Sequence, residues 1–169
     1  MAYDLELDMF RAMCAAAWIL FALIMKNVVL LVILAVQRRK NAMYKVPEDV
    51  ETFSAAQQHS STDDWSLAGR IQRVLANDTE YIPYFIGLLI FFFCGLPATG
   101  AQNQHHLARV LTYGLFFTLG RYLHTIGYLA KRTYIRIAGF LITIIFLFVI
   151  SIDHVYYVTK ALNNYKSKP

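Results

Sequence analysis

Long apolar runs alternate with short polar stretches along the chain. Four segments, at about residues 13–36, 70–98, 107–130 and 134–158, are mainly apolar. Each is long enough to cross a bilayer as a helix, which takes roughly 20 residues. An open sheet would leave backbone hydrogen bonds unsatisfied in lipid, so helices are favoured. The pattern predicts an all-α, integral membrane four-helix bundle.

The lengths of the connections predict how the helices are arranged. A polar segment of mixed charge, residues 37–69, separates the first two spans, whereas the later spans are joined by residues 100–106 and 131–133. Short connections make sequential helices antiparallel neighbours. We therefore expect an up-down-up-down bundle that forms one domain over residues 1–169.

The composition excludes other classes of protein. Hydrophobic residues make up 57% of the chain and charged residues 16%, whereas soluble domains carry about a quarter charged residues. Intrinsic disorder is excluded by the same apolar content. The net charge of +5 is modest and is not gathered into one tract, so a nucleic-acid partner is not expected.

Basic residues predict the orientation in the membrane. Arg38, Arg39 and Lys40 follow the first span, and Lys131 and Arg132 follow the third. Loops rich in Lys and Arg stay on the cytosolic side. Segment 37–69 is therefore expected to be cytosolic.

Polar residues inside the spans form stripes on two helices. On the second helix, Arg73, Asn77, Glu80 and Tyr84 lie at i, i+4, i+7 and i+11. Residues three and four apart share a helix face. This spacing predicts one polar face.

A second stripe lies on the third helix, where Arg121, His124 and Tyr128 are spaced at i, i+3 and i+7. Arg136 begins the fourth helix at the same end. Ionisable groups within a span are costly, by about 2.5–3.5 kcal/mol at its centre. The three arginines of the two stripes and helix four have one obvious acidic partner, Glu80. This excess of positive charge predicts an external carboxylate-bearing ligand, which matches the planar guanidinium group.

Four segments of the chain form a combined pattern. In chain order they are the loop element Val46-Pro47-Glu48-Asp49, the helix-two segment 73–83, the helix-three segment 120–129 and the pair Ile135-Arg136. Together they resemble the MAPEG family, the membrane-associated proteins in eicosanoid and glutathione metabolism. The resemblance is closest to the branch of microsomal glutathione transferase and microsomal prostaglandin E synthase. It implies a homotrimer in the endoplasmic reticulum membrane, with the outer mitochondrial membrane as the alternative.

The resemblance also implies a site for glutathione between adjacent subunits. Arg136 corresponds to the arginine that stabilises the thiolate. The implied glutathione-binding residues are Arg38, Arg73, Asn77, Glu80, Arg121, His124 and Tyr128. Arg39 is an alternative to Arg38. No metal site is expected, since His105 and His106 lack further ligands at a suitable spacing.

The implied function is a glutathione S-transferase that conjugates apolar electrophiles or reduces lipid hydroperoxides. A prostaglandin E synthase is the first alternative. Ala76 and Ile137 depart from that synthase, which carries arginine and serine there. A non-catalytic lipid-binding protein is the second alternative. Lys26 is expected to pair with Glu80 or a backbone carbonyl. Asp49 is expected either to hold Arg136 or a loop arginine or to be a solvated acid of the loop.

Overall fold

The computed structural model describes residues 2–40, 66–98 and 106–166. These residues form helices and no strand, which confirms the predicted all-α fold class. The four helices are α1 (Ala2–Lys40), α2 (Leu67–Ala98), α3 (His106–Leu129) and α4 (Thr133–Lys166).

Each predicted apolar segment overlaps one helix, and the helices extend further. α1 and α2 take up both ends of the predicted loop 37–69. Residues 41–65 lie outside the described residues. The loop element at 46–49, with the expected role of Asp49, therefore lies outside the described residues.

The side-chain contacts give the relative direction of the helices. From α2 to α3, Asp78 meets Arg121, and Phe92 lies 5.8 Å from the ring of His106. The later contact on α2 is made by the earlier residue on α3, so these two helices are antiparallel. The same reversal relates α1 to α2 and α3 to α4. The bundle thus has the predicted up-down-up-down arrangement.

The apolar core occupies the half of the bundle away from the start of α2. Leu23, Phe85, Phe117 and Ile150 are almost wholly buried there, and the rings of Phe85 and Phe117 stack 4.1 Å apart. A smaller cluster closes the other end and consists of Leu30, Leu34, Ala68, Ile71 and Val74. Polar groups lie between the two clusters.

Glycines bring α3 and α4 into backbone contact. A Cβ atom added to Gly139 would lie 2.3 Å from the backbone nitrogen of His124, and one added to Gly127 would lie 2.4 Å from that of Arg136. Small residues let membrane helices approach closely. The turn between them passes through Lys131, whose φ is 59°. This close packing fixes where α4 begins relative to α3.

Polar contacts tie the helices together at the opposite end. The carboxylate of Asp8 on α1 accepts the first backbone N–H of α3 at 2.8 Å, and so acts as its N-cap. Arg109 forms an ion pair with Asp153 on α4. The guanidinium of Arg109 also lies 4.9 Å from the ring centre of Phe92 and 4.2 Å from that of Tyr157. One arginine thereby joins three helices.

Much of the outer surface of the bundle is apolar. Residues Glu6–Lys40 and Thr133–Lys160 form helices long and apolar enough to cross a membrane. Large apolar side chains point outward, including Trp18 at 73% exposure and Phe148 at 65%. An exposed apolar surface of this kind requires lipid or a protein partner to cover it.

Candidate functional site

A buried triad of charged residues joins α1, α2 and α3. Asp78 and Arg121 have no exposed surface, and Lys26 is 7% exposed. Asp78 Oδ2 accepts a hydrogen bond from Lys26 Nζ at 2.5 Å, and Asp78 Oδ1 accepts one from Arg121 Nε at 2.8 Å and a second from Nη2. Lys26 Nζ also lies 3.4 Å from the hydroxyl of Thr125. Buried charges of this kind are stable only when they are paired.

The guanidinium of Arg121 uses only two of its three nitrogen atoms in hydrogen bonds. Its Nε and Nη2 form the edge that contacts Asp78, and Nη2 also donates to Asn77 Oδ1 at 2.9 Å. Nη1 is buried and has no hydrogen-bond partner, and the same holds for Nδ1 of His124. An unpaired buried donor is costly, by about 1–3 kcal/mol and more when charged. A ligand with an acceptor would remove this cost.

Two expectations about the charges are wrong. Lys26 pairs with Asp78 instead of Glu80 or a carbonyl. Arg121 forms an ion pair with the same Asp78. The sequence-based comparison of charges counts Glu80 as the one obvious acidic partner of the three arginines and does not include Asp78.

A signal for Asp78 was present in the sequence. Ile71, Val74 and Phe85 on the same helix are all fully buried. Ile71 and Val74 come seven and four residues before Asp78, and Phe85 comes seven residues after it. This helical spacing places Asp78 on the core stripe of α2. A carboxylate on a core stripe indicates a buried pair.

A row of aromatic rings connects Arg121 to Arg136. Arg121 lies 5.5 Å from the ring centre of Tyr81, which contacts Phe140 edge-on at 5.8 Å. The rings then continue through His124, 6.4 Å from Phe140, to Tyr128, 5.0 Å from His124. Arg136 lies 4.9 Å from the ring centre of Tyr128. The two arginines are therefore held at opposite ends of a largely apolar row.

Arg136 lies in the first turn of α4 and is half-buried. The close contact of Gly127 with its backbone sets its position. Among the described residues, no carboxylate forms an ion pair with Arg136; its cation–π contact is with Tyr128. A cation held on an aromatic face without a carboxylate can stabilise an anion brought by a ligand.

The remaining predicted site residues lie apart from this row. Arg73, Glu80 and Tyr84 are exposed along the outer face of α2, as their spacing predicted, with Asn77 half-buried beside them. Glu80 forms no ion pair with any described residue. The structure links this outer face to the buried residues through the contact of Asn77 with Arg121.

Arg38 lies at the end of α1. It is half-buried, and its Nε is buried without a hydrogen-bond partner. Arg38 makes no hydrogen bond with the other predicted site residues in the described ranges. It follows Leu34 of the smaller apolar cluster by one turn.

An apolar groove of about 590 Å³ runs along the bundle surface between α2 and α4. It begins one turn beyond Glu80 and continues away from Arg136. Its lining residues are Pro83, Tyr84, Gly87, Leu88, Ile144, Leu147, Phe148 and Ser151. Such a surface accepts apolar compounds without selecting a particular one.

Comparison with known proteins identifies the family of this chain. Residues 16–155 match the MAPEG family. The chain belongs to the MAPEG family. No curated protein matched the chain. The MAPEG match and the two apolar helices together indicate a membrane protein.

MAPEG proteins include glutathione transferases and prostaglandin E synthases, and they generally use glutathione. The residues present in this MAPEG chain fit that tripeptide. Glutathione carries two carboxylates, one ammonium group and one thiol. The chain offers the guanidinium groups of Arg73 and Arg121 for the carboxylates, the exposed carboxylate of Glu80 for the ammonium group and the cation of Arg136 for the sulfur.

Proposed function

We propose that this protein is a membrane-bound glutathione S-transferase that also reduces lipid hydroperoxides with glutathione. Arg136 carries the proposal, because it is a half-buried cation on the face of Tyr128 without a described carboxylate beside it. A cation in that setting lowers the pKa of a nearby thiol from about 8.5 toward neutrality. The thiolate, and not the thiol, is the nucleophile.

The remaining site residues supply binding and orientation. Arg73 and Arg121 bind carboxylates of glutathione, Glu80 binds its ammonium group, and Asn77 orients the guanidinium of Arg121. His124 and Tyr128 hold the aromatic side of the site next to Arg136. Arg38 contributes a further cation from the end of α1.

An adjacent subunit completes the site in this proposal. Arg73 and Glu80 lie on the outer face of α2, where exposure to lipid would be costly for a charge. A homotrimer in the endoplasmic reticulum membrane would cover that face and hold glutathione between two chains. The outer mitochondrial membrane is the alternative location.

The apolar groove between α2 and α4 delivers the second substrate. It brings an apolar electrophile from the bilayer toward the polar stripe of α2. In conjugation, the sulfur forms a bond to the electrophilic carbon, and the leaving group departs with its bonding electrons. In peroxide reduction, two glutathione molecules supply two electrons and become the disulfide, while the hydroperoxide is converted to an alcohol and water. Arg136 stabilises the negative charge before that step.

The test is a glutathione titration of the purified protein in detergent, followed by the ultraviolet absorbance of the thiolate. We expect a saturable signal in the wild-type protein. Arg136→Ala should lose most of the thiolate signal while it keeps much of the glutathione binding, because the cation acts on the sulfur.

Arg132→Ala is the matched control, since Arg132 is exposed one turn earlier in the chain. It should behave as the wild type. Full turnover in Arg136→Ala would refute the role of Arg136, and absence of glutathione binding by folded wild-type protein would refute the function. If a thiolate forms without conjugation of any electrophile, an endoperoxide substrate tests the synthase alternative.

A further inference from the structure

Asp78 lies at the centre of the buried triad, although it is not among the residues proposed to bind glutathione. Both of its carboxylate oxygens are occupied, Oδ1 by Arg121 and Oδ2 by Lys26 at 2.5 Å. It has no exposed surface. Asp78 therefore offers no unpaired oxygen to a ligand and acts on the site only through its two partners.

The contact with Asp78 determines which part of Arg121 remains available. Asp78 takes the Nε and Nη2 edge, and Asn77 takes a further Nη2 contact at 2.9 Å. Nη1 lies on the other side of the same rigid plane and has no partner. Because the guanidinium is planar, fixing one edge fixes the direction of the free nitrogen.

We propose that Asp78 is a positioning residue, which holds Arg121 by one edge so that its Nη1 binds a carboxylate of glutathione. Lys26 contacts Oδ2 of Asp78, whereas the contact that orients Arg121 is made by Oδ1. This inference rests on the proposed use of glutathione.

The test measures how strongly the full-length protein distinguishes a carboxylate from its neutral counterpart. Calorimetric titration gives the dissociation constants for glutathione and for two analogues, in each of which one carboxylate is an amide. In the wild type, one amide analogue should bind about 10-fold or more weakly, because a charge-assisted hydrogen bond is lost. Asp78→Asn should abolish most of that preference.

Lys26→Met is the matched control, because it removes a charge from the same triad but leaves the contact between Asp78 and Arg121 in place. It should keep the preference. A simple effect of charge predicts the opposite pattern. Asp78→Asn removes a negative charge near Arg121 and would strengthen the preference for a carboxylate, whereas Lys26→Met removes a positive charge and would weaken it. The pair of variants therefore separates orientation from charge.

Each outcome has a distinct meaning. If wild-type protein binds glutathione and Asp78→Asn keeps the full preference, the inference is refuted and the proposed function stands. A lower melting temperature with unchanged preference would show a structural role alone. If Asp78→Asn does not fold, Asp78→Glu keeps the charge, displaces Arg121 and should lose the preference. Absence of glutathione binding by the wild type would refute both proposals.

Discussion

The contact of Arg136 with Tyr128 gives a cation a fixed place without neutralising it. A carboxylate partner would hold the arginine equally well, but it would also cancel much of the positive field that a thiolate needs. An aromatic face orients the guanidinium and leaves its charge available. The 4.9 Å separation is within the range of such contacts.

Tyr128→Leu should therefore weaken thiolate formation more than Tyr128→Phe. The leucine removes the aromatic face, and we expect a thiolate signal lower by roughly 3- to 30-fold. The phenylalanine keeps the ring and should keep most of the signal. Equal losses in the two variants would show that the hydroxyl group, and not the ring, supports Arg136. Ultraviolet absorbance at saturating glutathione is the measurement.

At the scale of single residues, the sequence predicted which polar residues share a helix face better than it predicted which charged residues pair between helices. Helical spacing correctly indicated that Arg73 and Glu80 share a face, because that follows from the helix period alone. It did not indicate that Asp78 joins Lys26 and Arg121, because those contacts connect three different helices. Pairing across helices depends on their rotation, which no single helix encodes.

At the scale of helices, glycines determine the distance between α3 and α4. A Cβ atom added to Gly139 would meet backbone atoms of α3, at 2.3 Å from the nitrogen of His124 and 2.6 Å from the oxygen of Gly120. Backbone atoms cannot move aside as a flexible side chain can. The helix pair must therefore separate or shift if this position gains a methyl group.

Gly139→Ala should lower the melting temperature of the solubilised protein and reduce thiolate formation. Overpacking costs about 1–3 kcal/mol, and the displaced His124 lies in the proposed site. Gly87→Ala is the matched control, because a Cβ there meets nothing within 4 Å. It should be neutral or slightly stabilising through helix propensity. Equal effects at the two positions would contradict the close-packing argument.

The helices were more predictable than their packing. Long apolar runs predicted four helices, since lipid leaves few other ways to satisfy the backbone. The runs did not predict that α1 would continue to Lys40, because polar residues extend a helix without an apolar signal. Asp8 as the N-cap of α3 was also beyond prediction, because the capping residue belongs to another helix.

At the scale of the whole molecule, the distribution of basic residues predicts a topology. The turn after α3, which contains the exposed Lys131, should face the cytosol, and the exposed Lys160 near the end of α4 should face the lumen.

Single cysteines at these two positions test this orientation. In a variant without Cys14 and Cys94, Lys131→Cys should react with an impermeant maleimide in sealed microsomes. Lys160→Cys should react only after the membrane is permeabilised. The reverse pattern would show that the protein has the opposite orientation.

The buried triad has a consequence for how the chain enters the membrane during synthesis. α1 emerges first and carries Lys26 within its apolar stretch, at a cost of about 2.5–3.5 kcal/mol near the bilayer centre. Its counter-charge, Asp78, is synthesised 52 residues later. The lysine therefore favours a helical hairpin of α1 and α2 over α1 alone as the unit that leaves the translocon.

Lys26→Leu should accordingly increase the insertion of an isolated α1 fragment, as measured by reporter glycosylation in microsomes. It should change the insertion of the α1–α2 fragment much less, since Asp78 already compensates the charge there. Similar gains in both fragments would contradict this account. α3 then brings Arg121 to a carboxylate that is already in place, so that the order of translation is also the order in which the charges of the bundle are paired.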